Sequence, residues 1–140
     1  MKVESLMITE NDVIDSVLKE LVEMGFEIVN KCNTYQKGID IHAIRGEEEI
    51  MIEAKGGTTS KDTSRKGKPF NSGQVKDHIA VAVLKVMQLK QEYKEVTVGI
   101  ALPDDRKHRK LIDSIRQSLE VLEIEIIWSD GKEVIIESIN

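Results

Sequence analysis

The chain has 140 residues, 40% of them hydrophobic and 32% charged, and a formal net charge of −5. Such a length suits one domain with a substantial core, and the negative balance argues against a protein that coats nucleic acid indiscriminately, since such binders are basic overall. No apolar run approaches the ~18 residues of a membrane span, the start MKVESLMITE lacks the apolar core of a signal peptide, and the lone cysteine, Cys32, cannot close an internal disulfide, so a cytoplasmic protein with no membrane partner is expected.

Thr9 and Asp12 have capping-box spacing, with a shorter acid in the usual Glu position. Ile14, Val17, Leu18 and Leu21 then recur at helical spacing until Gly25 supplies a stop. Phe26 to Asn33 reads as a strand, in which Cys32 is expected to be a small packing residue rather than a nucleophile. Ile39–Arg45 and Glu48–Lys55 read as a hairpin. Its turn, Arg45-Gly46-Glu47-Glu48, puts glycine first of two central residues, which suits type II′. That turn sets Arg45 opposite Glu48, Ile44 opposite Glu49 and, further back, Asp40 opposite Glu53. Side chains alternate between faces, so Asp40, Glu53 and Lys55 share one side, and Ile39, Ile41, Ala43, Ile50, Ile52 and Ala54 form an apolar face for a helix. Directly opposed residues have Cβ atoms roughly 5 Å apart, so both carboxylates can reach one cation.

Gly56 to Phe70 has almost no apolar residues and reads as a long loop, of the kind that is usually functional or mobile. Asn71 or Ser72 can cap the next helix, whose Val75, Ile79, Ala82, Val83, Val86 and Leu89 form a stripe to about Glu92. Gln74 and His78 lie beside that stripe at i and i+4. Val96–Leu102 reads as a buried strand, Asp104–Leu119 as a helix, and Glu123–Trp128 with Glu133–Ser138 as a closing pair around Asp130-Gly131. Ile124, Ile126, Val134 and Ile136 either complete the sheet or offer a homodimer contact.

Asp, Glu and Lys at alternating strand positions often form no more than a solvated face. Here the acid stands at the start of a strand, EAK ends the next, and Gly-Gly follows at once. The segment GIDIHAIRGEEEIMIEAKG, Gly38 to Gly56, resembles the active-site motif of the restriction-endonuclease-like, or PD-(D/E)xK, nuclease superfamily. Asp40 matches the family Asp, and Glu53, Ala54 and Lys55 match Glu-x-Lys, while Ile39 stands where proline is common. Gln74 fits the glutamine that many members carry in the following helix, and Glu20 and Glu23 are both candidates for a glutamate in the first helix. The resemblance spans roughly residues 10 to 102, with a specific motif about four residues wide. It implies an α/β fold with an αβββαβ core, a central mixed sheet flanked by helices, and here a C-terminal α-β-β extension. In length and in its early Glu-bearing helix the chain is similar to small archaeal junction resolvases, although the loop after EAKGG departs from them.

The activity so implied is metal-dependent hydrolysis of phosphodiester bonds, in DNA, of a restriction, repair or junction type. The alternatives are a catalytically inactive binding module of the same fold, for nucleic acid or protein, and a small domain whose charges are ordinary surface. Asp40 and Glu53 would be metal ligands, with the Ala54 backbone carbonyl as a third. Hard oxygen donors select Mg²⁺ or Mn²⁺ over zinc, and no His/Cys spacing suggests zinc. Lys55 would orient or help deprotonate the attacking water, and Gln74 would hold Lys55 or a phosphate. Lys61, Arg65, Lys66, Lys68 and Lys76 outnumber the acids around them and would guide a polyanion, joined by His78. Arg106, Lys107, Arg109 and Lys110 form a second basic run, readable equally as a solvated face. His42 is a candidate for the site's edge, His108 is expected to be exposed, and Phe70 either stacks on a base or joins the core. Cutting both strands calls for two active sites, hence a homodimer.

Overall fold

A computed structural model describes residues 8–29, 38–58 and 69–137. Cys32, Lys61, Arg65, Lys66 and Lys68, and the predicted strand beyond Val29, lie outside the described residues.

The first helix, α1 (Glu10–Glu23), begins with the predicted box: Thr9 Oγ1 accepts from the Asp12 amide at 3.2 Å, and Asp12 accepts from the Thr9 amide at 2.9 Å. It ends in a Schellman motif, in which Phe26 N donates to Leu21 O and Gly25 N to Val22 O, with Gly25 at φ 96°. Strand β1 (Glu27–Ile28) pairs with β2 (Ile41–Arg45). The register of β2 with β3 (Glu48–Ala54) is the expected one, from Arg45 opposite Glu48 to Ile41 opposite Ile52. Gly46 has φ 60° and Glu47 is not left-handed, as a type II′ turn requires.

Helix α2 (Ser72–Glu92) crosses to β4 (Thr97–Pro103), parallel to β3. The predicted long helix after it is two pieces, α3 (Arg106–Asp113) and α4 (Arg116–Val121). At the break the Ser114 hydroxyl donates to Leu111 O at 2.6 Å, competing with the helical ladder, and Ile115 has φ −131°. Strand β5 (Ile124–Ser129) is parallel to β4, and β6 (Val134–Glu137) closes the sheet antiparallel to β5. Asp130 Oδ1 accepts from the Lys132 and Glu133 amides in that last turn.

The six strands run in the order β1-β2-β3-β4-β5-β6, a mixed sheet with helices on both faces. Helix α1 packs Val13, Val17 and Leu21 against Ile41, Ala43, Ile50, Ile52, Ala54, Ala101 and Ile127. On the other face α2, α3 and α4 cover Met51, Val98, Ile100, Ile124, Ile126 and Trp128. Each Val, Leu, Ile or Met among them, fully buried, contributes about 1.5–3 kcal/mol. This is the restriction-endonuclease-like αβββαβ core with its C-terminal extension. Among the described residues no helix is long and apolar enough to cross a membrane.

One expectation is corrected. Ile39 packs with the α2 layer rather than with Ile41 and Ala43, because β2 begins only at Ile41 and Asp40 is a bend, so strand alternation does not reach back to it. Ile124 and Ile126 are buried in one core and Val134 and Ile136 pack against the other, so these four complete the sheet.

Candidate active site

The site lies at the C-terminal end of β3, where the N-terminus of α1 arrives from one sheet face and α2 crosses the other. Asp40, one residue before β2, is fixed by its own hairpin: its Oδ2 accepts from the Ala54 amide at 2.9 Å. Glu53 is 5% exposed. Lys55 Nζ stands 3.6 Å from Glu53 Oε2. From α2, Lys85 Nζ stands 3.3 Å from Glu53 Oε1. That contact is one of charge, since Oε1 is buried without a well-aligned hydrogen bond. Gly38, at φ 91°, leaves room for the lysine: a Cβ there would lie 2.7 Å from Lys85 Nζ.

Burial, and then the negative charge of Asp40, push the Glu53 carboxyl up to about 7, against the opposing pull of Lys85 and Lys55. Glu10 feels the same three neighbouring charges. Its carboxyl is raised by burial and then by Asp40, and lowered by Lys55 and Lys85. Three acids and two lysines thus share one electrostatic neighbourhood.

Glu10 and Lys85 were not among the residues read from sequence. For the first-helix acid, Glu20 and Glu23 had been the candidates, but Glu20 lies ten residues along α1 from Glu10, about 15 Å at 1.5 Å per residue, and Glu23 lies further. The end of α1 that reaches the site is its start. Gly56 permits this, because a Cβ there would fall on the backbone of Thr9 and Glu10, and Gly57 N donates to Ile8 O at 2.8 Å. Lys85 follows Gln74 and His78 by eleven and seven residues, close to whole numbers of helical turns, and that recurrence was the available signal.

Gln74 Oε1 accepts from the Asn71 amide at 2.9 Å and closes a capping box at the start of α2. His78 is half-buried, its ring edge-on to Phe70 with centroids 4.6 Å apart, and burial and then the Lys55 charge lower its pKa. His42 is buried and its Nε2 meets Glu49 Oε2 at 2.5 Å, which ties it toward the turn, away from Glu53. His108, expected to be exposed, is buried instead, with Nδ1 2.8 Å from Oδ1 of Asp105, the α3 N-cap. Of the basic residues, Lys76 is exposed on α2. Arg109 stacks over Trp128 at 4.2 Å and donates to Asp104 at 2.7 Å, so its charge is used within the fold.

Among the described residues no group of three or more His, Cys, Asp or Glu side chains is placed to enclose a metal ion. The donors present suit a smaller demand. Mg²⁺ is commonly held by one or two carboxylates, with water and substrate phosphate completing its shell. Asp40 and Glu53 supply hard oxygens, the Ala54 carbonyl is a candidate third, and Glu53 Oε1, buried and faced only by Lys85 at 3.3 Å, has no well-aligned hydrogen bond. The zinc ligand pattern is absent from these residues.

No family model matches the chain, and no curated protein matches it. Among solved structures, the crystal structure of an XisH family protein from Nostoc punctiforme is similar to it with a TM-score of 0.57 and 17% identity, over 92% of this chain and 99% of that one. At that identity the likeness shows a shared fold over almost the whole of both chains.

Proposed function

We propose that this protein is a Mg²⁺- or Mn²⁺-dependent nuclease that hydrolyses phosphodiester bonds in DNA, acting in the cytoplasm. The observation that carries the reading is the meeting of Asp40, Glu53 and Lys55 at one strand end, with Glu10 and Lys85 added from the two helix layers. Burial and the nearby Asp40 charge raise the proton affinity of Glu53 and Glu10, which costs the metal-free protein stability as pH rises; a site for a hard cation gives such groups a purpose.

A bound divalent cation would supply charge relief at the scissile phosphate and lower the pKa of the attacking water. Asp40 and Glu53 are the residues to hold it, with the Ala54 carbonyl. Lys55, anchored through Glu53, would orient the attacking water and offset the charge that gathers on the phosphoryl oxygens. Lys85, on the other oxygen of Glu53, would keep that carboxylate ionised and aimed. Glu10 would receive or steer the water's proton from the α1 side. Gln74 and His78 line the approach along α2, and Lys76 extends it. A break in both strands calls for two such centres, so a homodimer belongs to the proposal.

Purified protein should be incubated with supercoiled plasmid, linear duplex, single strands and branched junctions, in Mg²⁺, in Mn²⁺ and in chelator. Metal-dependent cleavage that is lost in Glu53→Ala and in Lys55→Ala is expected; cleavage that survives in both variants refutes the assignment.

A further inference from the structure

The two basic clusters of the sequence meet in space. Lys76, from the first turns of α2, and Arg106, Lys107 and Lys110, from α3, line one open groove of about 490 Å³, floored by Val75 and Leu111 and edged by Ser72 and Ser114. No acid lines it, in a chain whose net charge is −5. Among the described residues Lys76, Arg106 and Lys110 make no ion pair. Arg109 and Arg116 on the same stretch of chain are taken by Asp104, Asp113 and Glu137. The fold thus neutralises some of its cations internally and leaves this set facing outward. Unpaired like charges held side by side repel one another, so their clustering points to a polyanion.

The groove is connected to the proposed active site by a short rigid path. Lys107 Nζ donates to Phe70 O at 2.9 Å, and Phe70 N donates to Gly57 O at 3.0 Å. Gly57 is two residues past Lys55. With Cα atoms 3.8 Å apart, the contour of these contacts, on the order of 20 Å, bounds the separation from above, at about six steps of a strand that rises 3.4 Å per phosphate. Arg106 and Lys110 stand one helical turn apart, about 6 Å along α3, over which such a strand presents roughly two phosphates.

We propose that the α2–α3 groove is a backbone-binding track for a nucleic-acid strand, gripping phosphates within about six nucleotides of the bond to be cut. The proposal rests on the nuclease reading for its register, but strand binding by the groove is measurable without cleavage. The charges contact phosphate and not base edges, so they give affinity and orientation without sequence preference.

The test is fluorescence anisotropy with labelled duplex and single-stranded oligonucleotides in chelator, from 50 to 300 mM salt, using the full chain. In Lys76→Gln/Lys110→Gln, two exposed positions, binding should weaken about tenfold or more near 0.1 M salt. The slope of log affinity against log salt should fall by about 1.5–2. The control, Lys19→Gln/Lys132→Gln, removes the same charge from exposed sites elsewhere and should leave the slope unchanged. Millimolar inorganic phosphate should not displace the strand, since affinity comes from several linked charges. If the groove variant and the control bind alike, or free phosphate competes fully, the track is refuted. The two readings separate cleanly: Glu53-dependent cleavage with unaltered binding in the groove variant sinks the track alone, and groove-dependent binding without any cleavage by wild type sinks the nuclease alone.

Discussion

Replacing Glu53 with glutamine should make the metal-free protein more stable at alkaline pH, although it removes a buried charge that two lysines approach. Glutamine keeps the size of the side chain and mimics the protonated acid. The carboxyl binds its proton more tightly in the folded chain, at about 7 against 4.5. An acid raised in this way contributes stability that is fully present below pH 4.5 and is lost as pH rises through 7. At 1.36 kcal/mol per tenfold change in proton affinity, the wild type therefore carries a penalty of up to about 3 kcal/mol at pH 8 that Glu53→Gln escapes. For a chain of this size that is on the order of 6–12 °C in Tm. Thermal or urea unfolding in chelator at pH 5 and pH 8 reads it directly. The variant should exceed the wild type by only about 1 kcal/mol at pH 5 and by about 3 kcal/mol at pH 8, and added Mn²⁺ should raise the wild type alone. A variant that is the less stable protein at pH 8, or whose difference from wild type does not change with pH, would refute the account of Glu53 as a carboxylate held at a cost for binding.

Lys85→Ala should lower cleavage at least tenfold, with Lys85→Arg restoring part of it, because the residue acts through charge on Glu53 Oε1; plasmid nicking under single-turnover conditions checks this, and full activity in Lys85→Ala would remove the residue from the site. Gly56→Ala should destabilise the fold by 2 kcal/mol or more and impair activity, since the added methyl meets the backbone of Thr9 and Glu10; urea unfolding measures it. Thr9→Ala removes the α1 cap and should cost about 1 kcal/mol, while Thr9→Ser should recover most of that loss in the same assay.

What was legible in the sequence was whatever depends on neighbours along the chain. A glycine in the right turn position and apolar residues alternating along two strands fixed the register from Ile41 opposite Ile52 to Arg45 opposite Glu48, because any slip by one residue would have turned the apolar face outward. The α1 cap and stop were readable for the same reason. Glu10 was not, because it reaches the centre through the docking angle of a helix and the close approach at Gly56, neither of which leaves a periodic mark. Lys85 lay among the polar positions of α2, and its whole-turn spacing from Gln74 and His78 takes on meaning only once that helix is seen to cross over β3. His108 sits in a basic run that suggests solvent, and its burial depends on Asp105 being both the α3 cap and the imidazole's partner. The break between α3 and α4 follows from Ser114, a residue that a helix interior tolerates as often as not.

The position of α1 and α2 on opposite faces of the sheet bears on when the proposed nuclease would become competent. Glu10 belongs to one layer and Lys85 to the other, and Asp40 and Glu53 come from the hairpin between them. A newly made chain that has closed one layer still lacks a member of the proposed reactive group. Under that proposal, competence to cut would arrive with the last layer to dock, and local melting of either helix would disarm the molecule before the sheet itself comes apart.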